Sequence, residues 1–296
     1  MRRALAALAA LVLIGAAAAL WLSRPDPLAP SALAGLSGDA ARGADVFWAA
    51  GCASCHTAPG SDDDLVLAGG QRFVSDFGTF LAPNISSDPV AGLGGWSDLD
   101  IANAVIRGLS PDGRHYYPAF PYTAYARITP QDMADLIAFL RDLPADATPS
   151  LPHEVGFPFN LRRGIGLWKA LYLRDDWVMP DPGAATPLPE PLARGRYLVE
   201  ALAHCAECHT PRNALGALES GQWMRGAPNP SGEGRIPGIT PGQLGWDALD
   251  IAYYLETGFT PDFDSAGGAM ARVVRGFARL GDDDRAAVAA YLLALE

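Results

Sequence analysis

Several features are scarce in this 296-residue chain, and each scarcity excludes something. Basic residues never run longer than a pair, and 22 Lys and Arg stand against 33 Asp and Glu, a formal net charge of -11. Nucleic acid would be repelled by such a surface and is set aside as a partner; a protein partner would need a basic docking patch. Cysteines number four, all in two C-x-x-C pairs, so none is left for a structural disulfide. No convincing alternation of apolar and polar residues marks a strand. After the first 22 residues nothing is long and apolar enough to cross a bilayer.

Those first residues are a region of their own. Arg2 and Arg3 precede an uncharged run from Ala4 to Leu22. As a helix it would measure ~28 Å, close to the ~30 Å hydrocarbon core of a bilayer. The leading charges place the N-terminus in the cytoplasm and export the rest. Small residues at Ala16 to Ala18 also suit a cleaved signal peptide, but the length of the run and the interfacial Trp21 favour an uncleaved anchor.

The remainder repeats itself. "GCASCHTAPG" (51–60) recurs as "HCAECHTPRN" (204–213), and "GWSDLDIANAVIRGLSPDG" (95–113) as "GWDALDIAYYLETGFTPDF" (245–263). "ITPQDMADLIAFLRDLP" (128–144) parallels "RLGDDDRAAVAAYLLALE" (279–296), with the offset staying between 150 and 153. The expected layout is a span at 1–22, a linker at 23–38, a domain at 39–145, a connector at 146–190 and a second domain at 191–296.

Each copy reads as all-α. Ser97 with Asp100, and Asp247 with Asp250, have capping-box spacing, and Thr129 before Pro130 is a helix start. Met133, Leu136, Ile137 and Leu140 recur at helical spacing in the last helix of copy one, as do Val288, Tyr291, Leu292 and Leu295 in copy two. The connector carries an amphipathic basic stretch, "NLRRGIGLWKALYL" (160–173), expected to be a strap packed between the domains; the alternative is a docking surface for a partner or the membrane.

Each cysteine pair is followed directly by histidine, giving C-x-x-C-H twice. A four-cysteine zinc site would need the pairs close together, whereas they lie in separate modules; a thioredoxin-like motif belongs with a βαβ pattern. Covalent haem accounts for every element: two thiols add to the two vinyl groups, and the adjacent histidine becomes the proximal iron ligand. The pattern assigns Cys52, Cys55 and His56 to one haem c, and Cys205, Cys208 and His209 to a second.

With these motifs, each module resembles a class I cytochrome c domain. The resemblance implies an N-terminal helix running into C-x-x-C-H and crossed by a C-terminal helix, with a glycine and an aromatic at the crossing. Gly43, Phe47 and Phe139 match in copy one, and Gly195 and Tyr291 in copy two, where Val199 replaces the aromatic. After residue 38 the chain also resembles the membrane-associated dihaem cytochrome c subunits of bacterial dehydrogenases, through "GGWSDLDI", "PDGRHYYPAFPY" and "PDFDSAGGAM".

That family takes its sixth iron ligand from a methionine in the loop before the last helix. Copy two offers Met270; Met224 lies too near the haem motif to come from that loop. The 150-residue offset carries Met270 onto Phe120, which cannot ligate iron. His115 is then the candidate distal ligand of the first haem, Met133 belongs to the apolar helix face, and an open site shielded by Phe120 is the third option. His153 and His204 read as structural or solvated. Trp96 and Trp246 read as core, with a hydrogen bond to a haem propionate as the functional alternative.

The expected function is electron transfer. Electrons would pass from a periplasmic dehydrogenase, through a chain anchored on the periplasmic side of the inner membrane, to a terminal oxidase or soluble cytochrome. A methionine-ligated second haem would have the higher potential and be the exit. An enzyme with an open first haem, peroxidase-like or thiosulfate dehydrogenase-like, is the alternative, but "RHYYPAFPY" supplies no obvious distal acid–base pair.

Overall fold

The computed structural model describes residues 1–183, 186–230, 232 and 234–296. Helix α1 (Arg2–Leu22) is followed by two helical modules that repeat one plan. Module one comprises α2 (Ala40–Ala49), the short α3 (Cys52–His56), α4 (Asp98–Ala102), α5 (Tyr122–Tyr125) and α6 (Pro130–Asp142). Helix α7 (Arg163–Tyr172) lies in the connector. Module two comprises α8 (Leu192–Arg196), α9 (Ala206–His209), α10 (Pro241–Leu244), α11 (Ala248–Thr257), α12 (Gly268–Phe277) and α13 (Asp282–Leu293). Helices α4 and α8 each run on into a wider π-helical turn, Asn103–Arg107 and Tyr197–Leu202.

The sequence-encoded caps form. Ser97 with Asp100 and Asp247 with Asp250 make reciprocal capping boxes. The Thr129 side chain accepts from the Asp132 amide ahead of Pro130. The chain is not purely helical, however: β1 (Arg72–Ser75) pairs with β2 (Gly78–Leu81), and the two-residue β3 (Ala227–Pro228) with β4 (Arg235–Ile236), both antiparallel. Thr79 exchanges backbone hydrogen bonds with Glu154 at 3.0 and 2.9 Å, so the first hairpin leans on the connector, a contact that apolar periodicity does not encode.

Each module is closed by its first and last long helices crossing. A Cβ on Gly43 would lie 2.0 Å from the Asp135 carbonyl oxygen, and one on Gly195 2.0 Å from that of Ala287. Only glycine permits either approach. In module one Phe47 is fully buried and its ring lies 5.0 Å from that of Phe139. In module two Val199 stands where the aromatic would be, and Tyr291 is held by polar bonding instead. Tyr291 donates to the buried Glu200 carboxylate (2.7 Å) and accepts from Trp223 Nε1 (3.0 Å), while the Val178 and Met179 amides donate to Glu200. A buried carboxylate with three donors is satisfied; with one missing it would be costly.

Helix α7 straps the assembly. The chain's single lysine, Lys169, turns inward and donates to the Arg107 and Gly108 carbonyls at 2.6 and 2.7 Å. Trp168 Nε1 donates to the Leu215 carbonyl of module two at 2.9 Å.

Candidate functional site: two haem-binding motifs

Both C-x-x-C-H motifs occupy a short helix entered by a left-handed residue. Gly51 (φ 66°) performs this turn before Cys52, and His204 (φ 43°) before Cys205. A glycine adopts that conformation without a steric penalty, and the histidine in module two is a departure. The helical turn places the paired thiols on one side and the histidine ring beyond them.

The histidines are oriented identically. His56 Nδ1 lies 2.8 Å from the Pro83 carbonyl oxygen, and His209 Nδ1 lies 2.8 Å from that of Pro237. Such a bond fixes Nδ1 as the protonated nitrogen and leaves Nε2 as the lone-pair donor. Burial depresses both ring pKa values, and the proline carbonyls oppose that depression, so the neutral, ligating imidazole is the form held at neutral pH. Burial pushes the Cys52 and Cys205 thiols up to about 12. Cys55 is pushed up to about 11, by burial against the pull of Arg272 and with added repulsion from Cys208. The donor set fits covalent haem in both modules: Cys52, Cys55 and His56 would hold one group, and Cys205, Cys208 and His209 the other. The floors match too, Leu67 and Met224 being fully buried at corresponding places. Their carbonyls accept from Ile85 and Ile239 at 3.0 and 2.8 Å.

Sequence reasoning passed over Pro83 and Pro237, since the useful atom is a backbone oxygen. A signal existed: P-x-I followed by Ser or Thr recurs at 83–86 and 237–240.

The candidate distal groups stand differently. Met270 is the third residue of α12, not in an open loop, and is half-buried against the core. Phe120 packs against Tyr125 with ring centroids 5.6 Å apart. His115 is buried in the same loop as Phe120, but its Nε2 lies 3.0 Å from the Ser23 carbonyl at the end of α1. Its Nδ1 is buried without a hydrogen-bond partner, so that nitrogen is the one available to ligate. Met133 is fully buried on the core face of α6. His153 Nδ1 accepts from the Leu81 amide, and its ring packs beside Phe80 and Tyr117, a structural role. Trp96 and Trp246 are half-buried against the core, and neither indole donates a hydrogen bond among the described residues.

The two motifs face one another across the module boundary. Tyr125 donates to the Ala50 carbonyl, just before Gly51 and Cys52, at 2.7 Å, and its ring lies 5.7 Å from that of His204. Thr123 donates to Glu207, inside the second motif, at 3.2 Å. In return α12 packs on α2 and α3: Gly276 sits under the Trp48 carbonyl, and the Arg279 guanidinium lies 4.4 Å over the Trp48 ring. Each module thus lays a helix, α5 or α12, against the other module's haem-binding motif.

Two crossed-helix modules, each with a proline-oriented histidine after paired thiols, define a class. The family model for cytochrome c matches residues 40–144 and 192–296, and the chain belongs to the cytochrome c family. It is a dihaem electron-transfer protein with two covalently bound haem c groups. A diheme cytochrome c-type protein of Cereibacter sphaeroides is 55% identical over 99% of this chain and 98% of its own length. The fructose dehydrogenase cytochrome subunit of Gluconobacter japonicus is 34% identical over 91% of this chain, and the gluconate 2-dehydrogenase cytochrome c subunit of Pantoea cypripedii 31% over 86%. This chain spans 55% of the former's length and 59% of the latter's.

Proposed function

We propose that this chain is a membrane-anchored relay, taking electrons from a periplasmic dehydrogenase and handing them to a terminal oxidase or soluble cytochrome. The observation that carries the reading is the paired orientation of His56 and His209 by the Pro83 and Pro237 carbonyls, in modules whose haem-binding motifs adjoin. Bound haem supplies the one-electron couple; the chain supplies attachment, orientation and proximity. In this reading Cys52, Cys55, Cys205 and Cys208 attach the groups and His56 and His209 are proximal ligands. Met270 is distal in module two, and His115, through Nδ1, in module one. Similarity to the cytochrome subunits of dehydrogenases supports the donor class and favours a carrier over an enzyme with an open first haem.

The reading places the haem domains on the periplasmic face, with α1 retained as the anchor. Helix α1 has 21 residues, none of them buried against the body, which suits a span of ~30 Å. The test uses membranes from cells with and without this chain. Oxidisable substrates of the periplasmic dehydrogenases should reduce the c-type absorbance and drive oxygen uptake, and deletion should abolish that uptake while leaving dye-linked dehydrogenase activity. Unchanged oxygen uptake with every such substrate would refute the relay.

A further inference from the structure

The base of α1 is gripped by the body. Ser23 is only 3% exposed. Arg163 donates to the Ser23 hydroxyl (3.1 Å) and to the Leu20 carbonyl (3.0 Å), and His115 bonds the Ser23 carbonyl (3.0 Å). A Cβ on Gly166 would lie 2.5 Å from the Ser23 carbonyl oxygen, so α7 crosses the end of α1 at glycine contact distance.

Beside this socket the surface changes character. Residues 155–174 contain no acidic residue and four basic ones, in a chain of net charge -11. Lys169 is turned inward, while Arg163 and Arg174 are exposed, and Arg24 stacks on the exposed Trp21 at 4.1 Å. Among them stand apolar side chains in solvent: Phe157 is 80% exposed, Leu161 59% and Leu171 58%, with Phe159 and Leu167 also exposed.

We infer that the loop 156–161 and the outer side of α7 are a second membrane contact, seated in the lipid headgroup layer where α1 leaves the bilayer. The inference rests on the reading of α1 as a retained anchor. Position selects lipid over a protein partner: the ridge adjoins residues bonded to the last turn of α1, so a span through the bilayer brings it to the surface. Exposed aromatic and aliphatic side chains interleaved with arginines are the composition that lies in an interface and attracts anionic lipids. Socket and ridge together fix the height and tilt of the haem modules.

The test is spin labelling of the full chain in vesicles of phosphatidylcholine and phosphatidylglycerol. Thioether bonds occupy the native cysteines, so one introduced cysteine takes the label alone. Each reading is the difference at one site with and without the added relaxant, in the oxidised protein, so relaxation by the haem iron cancels. Labels go at Leu161→Cys, Leu171→Cys, Ala10→Cys within α1, and Leu249→Cys, 79% exposed on α11, as the aqueous reference. Power saturation compares access of oxygen with access of a water-soluble nickel chelate. The expected oxygen-to-nickel ratio at 161 and 171 is severalfold above that at 249 and below that at 10. Ratios at 161 and 171 equal to 249, with 10 deep, would overturn the contact and leave the anchor standing. A shallow value at 10 would remove both. Protection of 161 and 171 only after a dehydrogenase is added would overturn the lipid assignment in favour of a protein interface.

Discussion

The two modules keep the same residues where geometry admits one solution and differ where it admits several. Gly43 and Gly195 stand at matching crossings, and His56 and His209 meet matching proline carbonyls. Against that constancy, the crossing is an aromatic pair in module one and a Tyr291–Glu200 hydrogen bond in module two. The turn before the first cysteine uses Gly51 in one and His204 in the other. At the 150-residue offset, Met270 of module two has Phe120 as its counterpart in module one. Duplication thus preserved the attachment site and left free what sets the potential and the contact between halves.

The largest break in the comparison is removal of attachment. Cys52→Ala with Cys55→Ala should lower covalent haem from two to one per chain while the second module keeps its spectrum, as a pyridine haemochrome assay would read; the Cys205 and Cys208 pair should mirror it. Next come the crossings. Gly43→Ala and Gly195→Ala should each destabilise their module by about 3 kcal/mol or more, through forced separation of backbones. Calorimetry that finds either substitution neutral would mean the crossing relaxes.

The distal difference is tested by exchange. Met270→Leu should lower the potential of the second haem, and Phe120→Met should raise that of the first, in redox titrations with low-temperature EPR following the spin state. A persistent high-spin signal in the unmodified protein would assign an open first site and exclude His115 as ligand. A smaller effect is expected from Tyr291→Phe, which removes one donor from buried Glu200 and should cost about 1–3 kcal/mol, with no counterpart in module one.

A pH-dependent effect concerns Lys169, whose amine burial, with Arg107 nearby, pushes down to about 7. The unfolded chain holds that proton up to the ordinary value of 10.5. Between these limits the unfolded state binds more protons, so stability should rise with pH. Lys169→Met should lack that rise when melting curves of the two proteins are subtracted.

The helical caps, the duplication and both haem motifs were legible because side-chain identity performs those tasks. Cap oxygens, thiols and imidazoles announce themselves at fixed spacing. The Pro83 and Pro237 contacts were hidden because backbone carbonyls are present at every residue. The β1–β2 hairpin was hidden because one edge pairs with Glu154 in the connector. The placement of His115 was unreadable for a related reason: its partner is the carbonyl of Ser23, 92 residues away. Met270 was singled out through the family's methionine in the loop before the last helix; its actual place, within α12, was not readable.

The grip on Ser23 has a kinetic meaning. On a slack tether a globular body tumbles through every orientation, and each encounter must first find the productive one, which is an entropic loss borne by every collision. Held by Arg163, His115 and the close approach at Gly166, the body has already lost that freedom during folding. In the anchored form proposed above, search would be reduced to sliding in the plane of the membrane with one side always presented. The benefit would therefore appear in association rates within the membrane, and would vanish for the same modules released into solution.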